Sequence, residues 1–146
     1  MTKDTSDNQI NVIYCEVGKR ARMLKTDNNL GCFQDLVGGW IEEYIPYDDD
    51  VAIICNEEGK ALELPPNRGI PDENGKLLDV IMGNFFICYA PEGSEIWLDL
   101  PPDLEKKYMD KFFLPETFHR ENGYIKAKKY DPGDIPFERN SAEYER

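Results

Sequence analysis

Val51-Ala52-Ile53-Ile54-Cys55 runs directly into Asn56-Glu57-Glu58-Gly59-Lys60. Five consecutive apolar residues bounded by a polar turn read as a central buried strand. The turn after it reads as hairpin-type, with Gly59 supplying a positive φ. Immediately upstream, Asp48-Asp49-Asp50 is a turn. Before that, Ile41, Glu43 and Ile45 alternate with Trp40, Glu42 and Tyr44, the period of a strand, and Pro46 puts it at an edge or ends it.

Further upstream, Ile10 to Val17 is rich in Val, Ile and Tyr and reads as a strand. A turn at Gly18-Lys19 leads to a return strand, Arg20 to Lys25. Asp27-Asn28-Asn29 offers helix N-caps. Leu30, Phe33, Leu36 and Val37 follow at helical spacing, and Gly38-Gly39 stops the helix. Downstream, Leu64-Pro65-Pro66-Asn67-Arg68-Gly69 reads as an ordered loop, and Asp72-Glu73-Asn74-Gly75-Lys76 as a turn with an Asn-Gly signal. Leu77 to Tyr89 supplies at least one strand, with Gly83 marking a bulge or a close contact, and Ile96 to Leu98 a short one. Pro101-Pro102 opens a helix whose apolar face is Leu104, Tyr108, Met109 and Phe112, and Pro115 ends it. Tyr124 to Ala127 is a final strand after the Asn122-Gly123 turn, which leaves His119 in a loop. The expected fold is α+β: a mostly antiparallel sheet of five to seven strands with two main helices on one face. Residues 1–9 are expected to fray, 10–100 to form the core domain, 101–130 to add a helix and strand packed on it, and 131–146 to form a tail.

At 146 residues the chain can bury a core without disulfides or metal. Cys15, Cys32, Cys55 and Cys88 lie far apart with no C-x-x-C pair, the usage of reduced thiols in the cytoplasm. The polar N-terminus has no signal-peptide pattern, and no apolar stretch is long enough to span a bilayer. Charge is more informative. Twenty-nine acids face 17 bases, a formal net charge of −12. Between Trp40 and Glu105 there are 16 acids and three bases (Lys60, Arg68 and Lys76), so this window carries essentially the whole imbalance. Such a surface repels nucleic acid and anionic lipid and suits a basic protein partner.

Four motifs occur in order: Leu36-Val37-Gly38-Gly39-Trp40-Ile41-Glu42, Val51 to Lys60, Leu64-Pro65-Pro66-Asn67-Arg68, and Asp79-Val80-Ile81-Met82-Gly83-Asn84-Phe85-Phe86-Ile87. Together they resemble an uncharacterised family of small proteins from Firmicutes, their phages and mobile elements, over roughly residues 10 to 130. The resemblance implies a genomic neighbourhood and brings no catalytic residues with it.

The candidate sites are few. Asp48, Asp49, Asp50, Glu57 and Glu58 sit in turns, so they act as solvated charge rather than as paired catalytic carboxylates. The aspartate run also lacks the spacing of a calcium loop. His119, the lone histidine, has no partners placed to make a triad or a metal site, and no nucleotide-binding glycine motif is present. Trp40 and Tyr44, with Tyr47, are candidates for an aromatic patch toward a partner. Asn67 and Arg68, set by two prolines, are candidates for clamping a carboxylate or phosphate. No cofactor and no metal are expected. The reading that follows is a non-enzymatic phage or mobile-element protein that binds a basic host protein, such as a nuclease or defence complex, through its acidic middle. The alternative is a small-ligand binder or minor enzyme built on Asn67 and Arg68.

Overall fold

The computed structural model describes residues 8–134. The expected frayed N-terminus and the tail therefore lie largely outside the described residues. β1 (Gln9–Cys15) and β2 (Arg22–Asp27) form an antiparallel hairpin, and α1 (Leu30–Val37) follows. β3 (Ile41–Tyr44) and β4 (Val51–Asn56) come next. β5 (Pro66–Pro71) and β6 (Leu77–Met82) pair with each other, and β7 (Phe85–Tyr89) returns to the first sheet. α2 (Pro102–Phe112) leads into a last hairpin, β8 (Glu116–Glu121) and β9 (Tyr124–Lys129). The main sheet has five antiparallel strands in the order β2-β1-β7-β4-β3, and β5-β6 and β8-β9 are separate two-stranded sheets. The fold is α+β with two helices.

All six residues of β4 are buried, because both faces of the sheet are covered. Ile13, Val51, Ile53, Phe85 and Ile87 point to one face, where they meet Tyr108 and Phe112 of α2 together with Ile70 and Ile81 of the β5-β6 hairpin. Val12, Tyr14, Ala52, Ile54 and Phe86 point to the other, where they meet Phe33 and Val37 of α1. The two helices therefore lie on opposite faces, not on one as expected. A run that is apolar at every position has two apolar sides to cover, and one helix layer covers only one of them.

Three local readings are corrected by the backbone. The segment after β4 turns away to a different sheet instead of returning as a hairpin. The left-handed residue there is Glu63 (φ 56°), not Gly59, and Gly59 is needed because a Cβ would lie 2.8 Å from the Met82 carbonyl oxygen. The Pro-Pro segment is strand β5, not a loop. Leu77 to Tyr89, where at least one strand is expected, holds two strands in two sheets, divided at Gly83 (φ 86°), the expected close contact, whose missing side chain leaves room for Leu64. His119 likewise lies in strand β8, opposite Lys126, and not in a loop.

In α1 the Asn29 side chain accepts from the Cys32 N–H at 2.9 Å, the expected N-cap. Phe33 and Val37 face the core and Leu36 packs at its margin, but Leu30 is 53% exposed and lies off the packed face. In α2 the buried residues are Tyr108 and Phe112, with Leu104 and Met109 packed beside them, so this helix closes the core rather than trailing from it.

Candidate functional site

The acidic turns do not form one continuous surface. Asp48, Asp49 and Asp50 precede β4 and Glu57 and Glu58 follow it, so the two groups are held apart by a six-residue strand, about 17 Å at the usual rise. Asp48 and Asp49 instead meet the β5-β6 turn. With Tyr47, Asp72, Glu73 and Asn74 they line an open groove of about 530 Å³, closed on the far side by Lys107, Tyr108 and Lys111 of α2.

Within this groove Asp49 is tied to α2. It accepts from Lys107 Nζ and from the Tyr108 hydroxyl, each at 2.7 Å. These two hydrogen bonds hold its carboxyl below the usual value, while burial and the facing carboxylate push the Tyr108 phenol up. The Tyr47 and Tyr108 rings pack at 5.4 Å between centroids, with Lys111 Nζ over Tyr47 and Lys107 Nζ over Tyr108. The Tyr47 hydroxyl is buried with no hydrogen-bond partner among the described residues. Lys111 is pushed below its usual pKa by burial and by Lys129 and Lys107 nearby. The groove is thus acidic on the loop side, with an aromatic floor and two lysines opposite. Sequence reasoning missed the lysine side: nothing in the spacing of Lys107 or Tyr108 signals a partner nearly sixty residues away.

The other candidates fall elsewhere. Glu57 and Glu58 are exposed beyond the far end of β4, near the Lys60–Asp79 ion pair. Trp40 is 62% exposed beside the C-terminal end of α1, among Gln34, Asp35, Gly38 and Gly39. Tyr44 packs against the core on the α2 face and lines a separate recess with Glu42, Cys55 and Lys60. Trp40, Tyr44 and Tyr47 therefore do not make one aromatic patch.

Asn67 and Arg68 are each only 1% exposed. Asn67 Nδ2 donates to the Cys15 and Gly83 carbonyls, both at 2.9 Å. Arg68 Nε donates to the Phe112 carbonyl at 3.0 Å. Nη1 donates to the Glu16 carbonyl at 3.3 Å and to Asn67 Oδ1 at 2.7 Å. Nη2 donates to the carbonyls of Lys19 at 2.7 Å and Phe113 at 3.4 Å. A guanidinium has five N–H donors, and each has an acceptor here within the chain. The pair is turned inward as a structural joint instead of being presented to a carboxylate or phosphate. It also caps α2, whose C-terminal carbonyls, among the described residues, otherwise receive only Lys129 Nζ at Lys111 and the Ala21 N–H at Phe113.

The family described as Domain of unknown function (DUF3846) matches residues 10–113. The chain belongs to the DUF3846 family. Neither a curated protein nor a solved structure gives a match. The DUF3846 region begins in β1 and closes just after α2, so it contains the main sheet, both helices, the Asn67–Arg68 joint and the groove. The β8-β9 hairpin lies beyond it. Among the described residues no group of three or more His, Cys, Asp or Glu is placed to hold a metal ion, and no helix is long and apolar enough to cross a membrane.

Proposed function

We propose that this DUF3846 protein acts by binding another protein, with the acidic end of the sheet as its docking surface. The observation that carries this reading is the convergence of Asp48 and Asp49 from one turn and Asp72 and Glu73 from another, distant in sequence, on one groove with an aromatic floor. Aromatic residues ringed by charge are the usual anchors of a protein interface, and carboxylates contributed by separate loops add their potentials over the same surface. A partner with a basic surface fits, and it should associate quickly and with strong salt dependence. The resemblance to proteins of Firmicutes phages and mobile elements supports a host partner that itself handles nucleic acid, a nuclease or defence complex. On that reading the acidic end competes with the nucleic-acid backbone for the partner's basic groove. The acidic turn at Glu57-Glu58 does not line this groove.

The test is affinity capture from a bacterial lysate with the wild-type chain and with a variant carrying Asp48→Lys, Asp50→Lys, Asp72→Lys and Glu73→Lys. Asp49 is left intact because it holds α2. The expected result is a basic protein retained at low salt, weakened at high salt and lost with the variant. Retention by both chains alike, or at both salt concentrations alike, would overturn the proposal.

A further inference from the structure

The β8-β9 hairpin carries charge of the opposite sign to the body. From Glu116 to Lys129 there are four bases and two acids, against three bases and 16 acids from Trp40 to Glu105. One side of the hairpin is used for attachment. Phe118 and Ala127 are half-buried, Glu116 accepts from the Gly69 N–H, and Lys129 donates to the Lys111 carbonyl. Strand alternation puts Thr117, His119 and Glu121 of β8 with Tyr124, Lys126 and Lys128 of β9 on the other side, all of them exposed; Glu121 lies opposite Tyr124 and 3.7 Å from His119 Nε2. His119 lies opposite Lys126, and Thr117 opposite Lys128. Among the described residues, Arg120, Lys126 and Lys128 have no carboxylate within ion-pair distance. Their charge is therefore directed at solvent.

A cleft of about 470 Å³ separates this hairpin from the β5-β6 turn. Tyr124, Ile125 and Lys126 form one wall with Glu116, whose Oε1 accepts from the Gly69 N–H, and Lys76 and Leu77 form the other. Tyr124 is 65% exposed. An exposed aromatic ring, apolar walls and lysines at the rim match what a flexible nucleotide strand needs, a face to stack on and cations along its backbone. Lys126 and Lys128 repeat at about 7 Å along β9, which lets them follow an extended polyanion.

We propose that the β8-β9 hairpin is a docking surface for single-stranded nucleic acid, with Lys126, Lys128 and Lys76 on phosphates and Tyr124 stacked on a base. The proposal stands apart from the acidic docking surface, and all of its contact residues except Lys76 lie beyond the DUF3846 region. The whole-chain charge argues the other way, but it averages over a segregated molecule. At about 0.1 M salt, charges more than about 10 Å away are largely screened, and the local sign governs contact. Asp72 lies within that distance of Lys76, since its Oδ1 accepts from the Lys76 N–H at 2.9 Å, but with Glu73 it lines the neighbouring groove, so Lys126, Lys128 and Tyr124 carry most of the contact.

The experiment is fluorescence anisotropy with a labelled oligothymidylate of about 15 nucleotides, within the usual span of a small single-strand site. Three to four phosphate contacts predict a loss of affinity of roughly twenty- to fiftyfold between about 50 and 200 mM salt. Lys126→Glu with Lys128→Glu should abolish binding at the higher salt. Tyr124→Ala should weaken it severalfold without changing the salt slope. Both variants should keep the wild-type circular dichroism, since the substituted side chains touch solvent. No binding at the lower salt, binding unchanged in the double variant, or stronger binding to a duplex of equal length would overturn the assignment. The reversal of Asp48, Asp50, Asp72 and Glu73 is expected to leave oligonucleotide binding intact or to strengthen it, so the two surfaces fail independently.

Discussion

Arg68→Met removes a guanidinium while keeping most of the volume of its stem, and the structure sets the expected cost. Five acceptors lose a donor. Two keep another: the Glu16 carbonyl still accepts from the Lys19 N–H, and the Phe113 carbonyl from the Ala21 N–H. Three are left without the bond that satisfied them: the carbonyls of Phe112 and Lys19 and the side-chain oxygen of Asn67. A buried acceptor without a partner costs about 1–3 kcal/mol, which gives roughly 3–9 kcal/mol for three. Relief of the desolvation of a buried charge offsets part of this, and burial does push the Arg68 guanidinium below its ordinary pKa. The expected net loss is about 3–5 kcal/mol, a large share of the roughly 5–15 kcal/mol that holds a domain together. Urea titration followed by circular dichroism measures it as a fall in midpoint at constant slope. Arg68→Lys is the control for charge. An ammonium has three donors on one atom and cannot span the β1-β2 turn and the end of α2 together, so it should recover less than half of the loss. A cost below about 1 kcal/mol for Arg68→Met would refute the reasoning and mean that water replaces the guanidinium without penalty.

Three further outcomes are expected. Phe33→Ala should cost about 3–5 kcal/mol, because the ring is buried against Phe86 and Trp97, whereas Leu30→Ala one turn earlier should change stability by less than about 0.5 kcal/mol; equal effects in urea titration would misplace the packed face of α1. A thiol reagent at mildly alkaline pH should modify Cys32 alone in the native protein. Burial removes Cys15, Cys55 and Cys88 from reach and pushes the Cys15 and Cys55 thiols up to about 12, so peptide mapping should find those three only after unfolding. Asp49 contributes to stability above its ordinary pKa of 3.8, and that contribution is lost as pH falls through its lowered folded value. Asp49→Asn should therefore lower stability at neutral pH and flatten the acid limb of a stability–pH curve, and an acid limb as steep as wild type would remove Asp49 as its source.

Most of the element order was legible because its signals are local. The alternation in β3, the Asn29 cap, the glycine pair after α1 and the proline pair before α2 each act within a few residues. What was not legible depended on distance. β5 begins at Pro66 and ends at Pro71, so its sequence reads as loop; it is tolerated as a strand because proline can stand at the first residue of a short hairpin sheet. β8 reads Glu-Thr-Phe-His-Arg-Glu, with too little apolar content to announce a strand, and its pairing with β9 makes it one. The opposite placement of the helices was implicit in the all-apolar run of β4, which needs cover on two sides. The groove could not be found from sequence, since its acidic half comes from two loops and its basic half from α2. Arg68 was read as a presented side chain because its acceptors are mostly backbone carbonyls 44 to 52 residues away, which leave no mark in a sequence.

The fate of that arginine also bears on the charge of the surface. The window from Trp40 to Glu105 contains three bases. Arg68 is enclosed among carbonyls, and Lys60 is committed to Asp79. Lys76 has no ion-pair partner among the described residues, and it lines the cleft under the β8-β9 hairpin. Apart from Asp79, held by Lys60, the acids of the window face solvent with almost no cation of their own segment, and Asp49 is neutralised from α2 through Lys107. The separation of sign is thus built by the fold: a buried arginine fastens the end of α2 to the β1-β2 turn, α2 brings its lysines to one wall of the acidic groove, and the hairpin that follows carries the remaining bases past it. Loosening the Arg68 joint should then do more than reduce stability. A partly folded Arg68→Met chain would release Lys107 from Asp49, and its affinity for a basic partner would change in step with the loss of α2 structure. If binding stayed at the wild-type level while α2 frayed, the lysine wall would have no part in setting the charge of the docking surface.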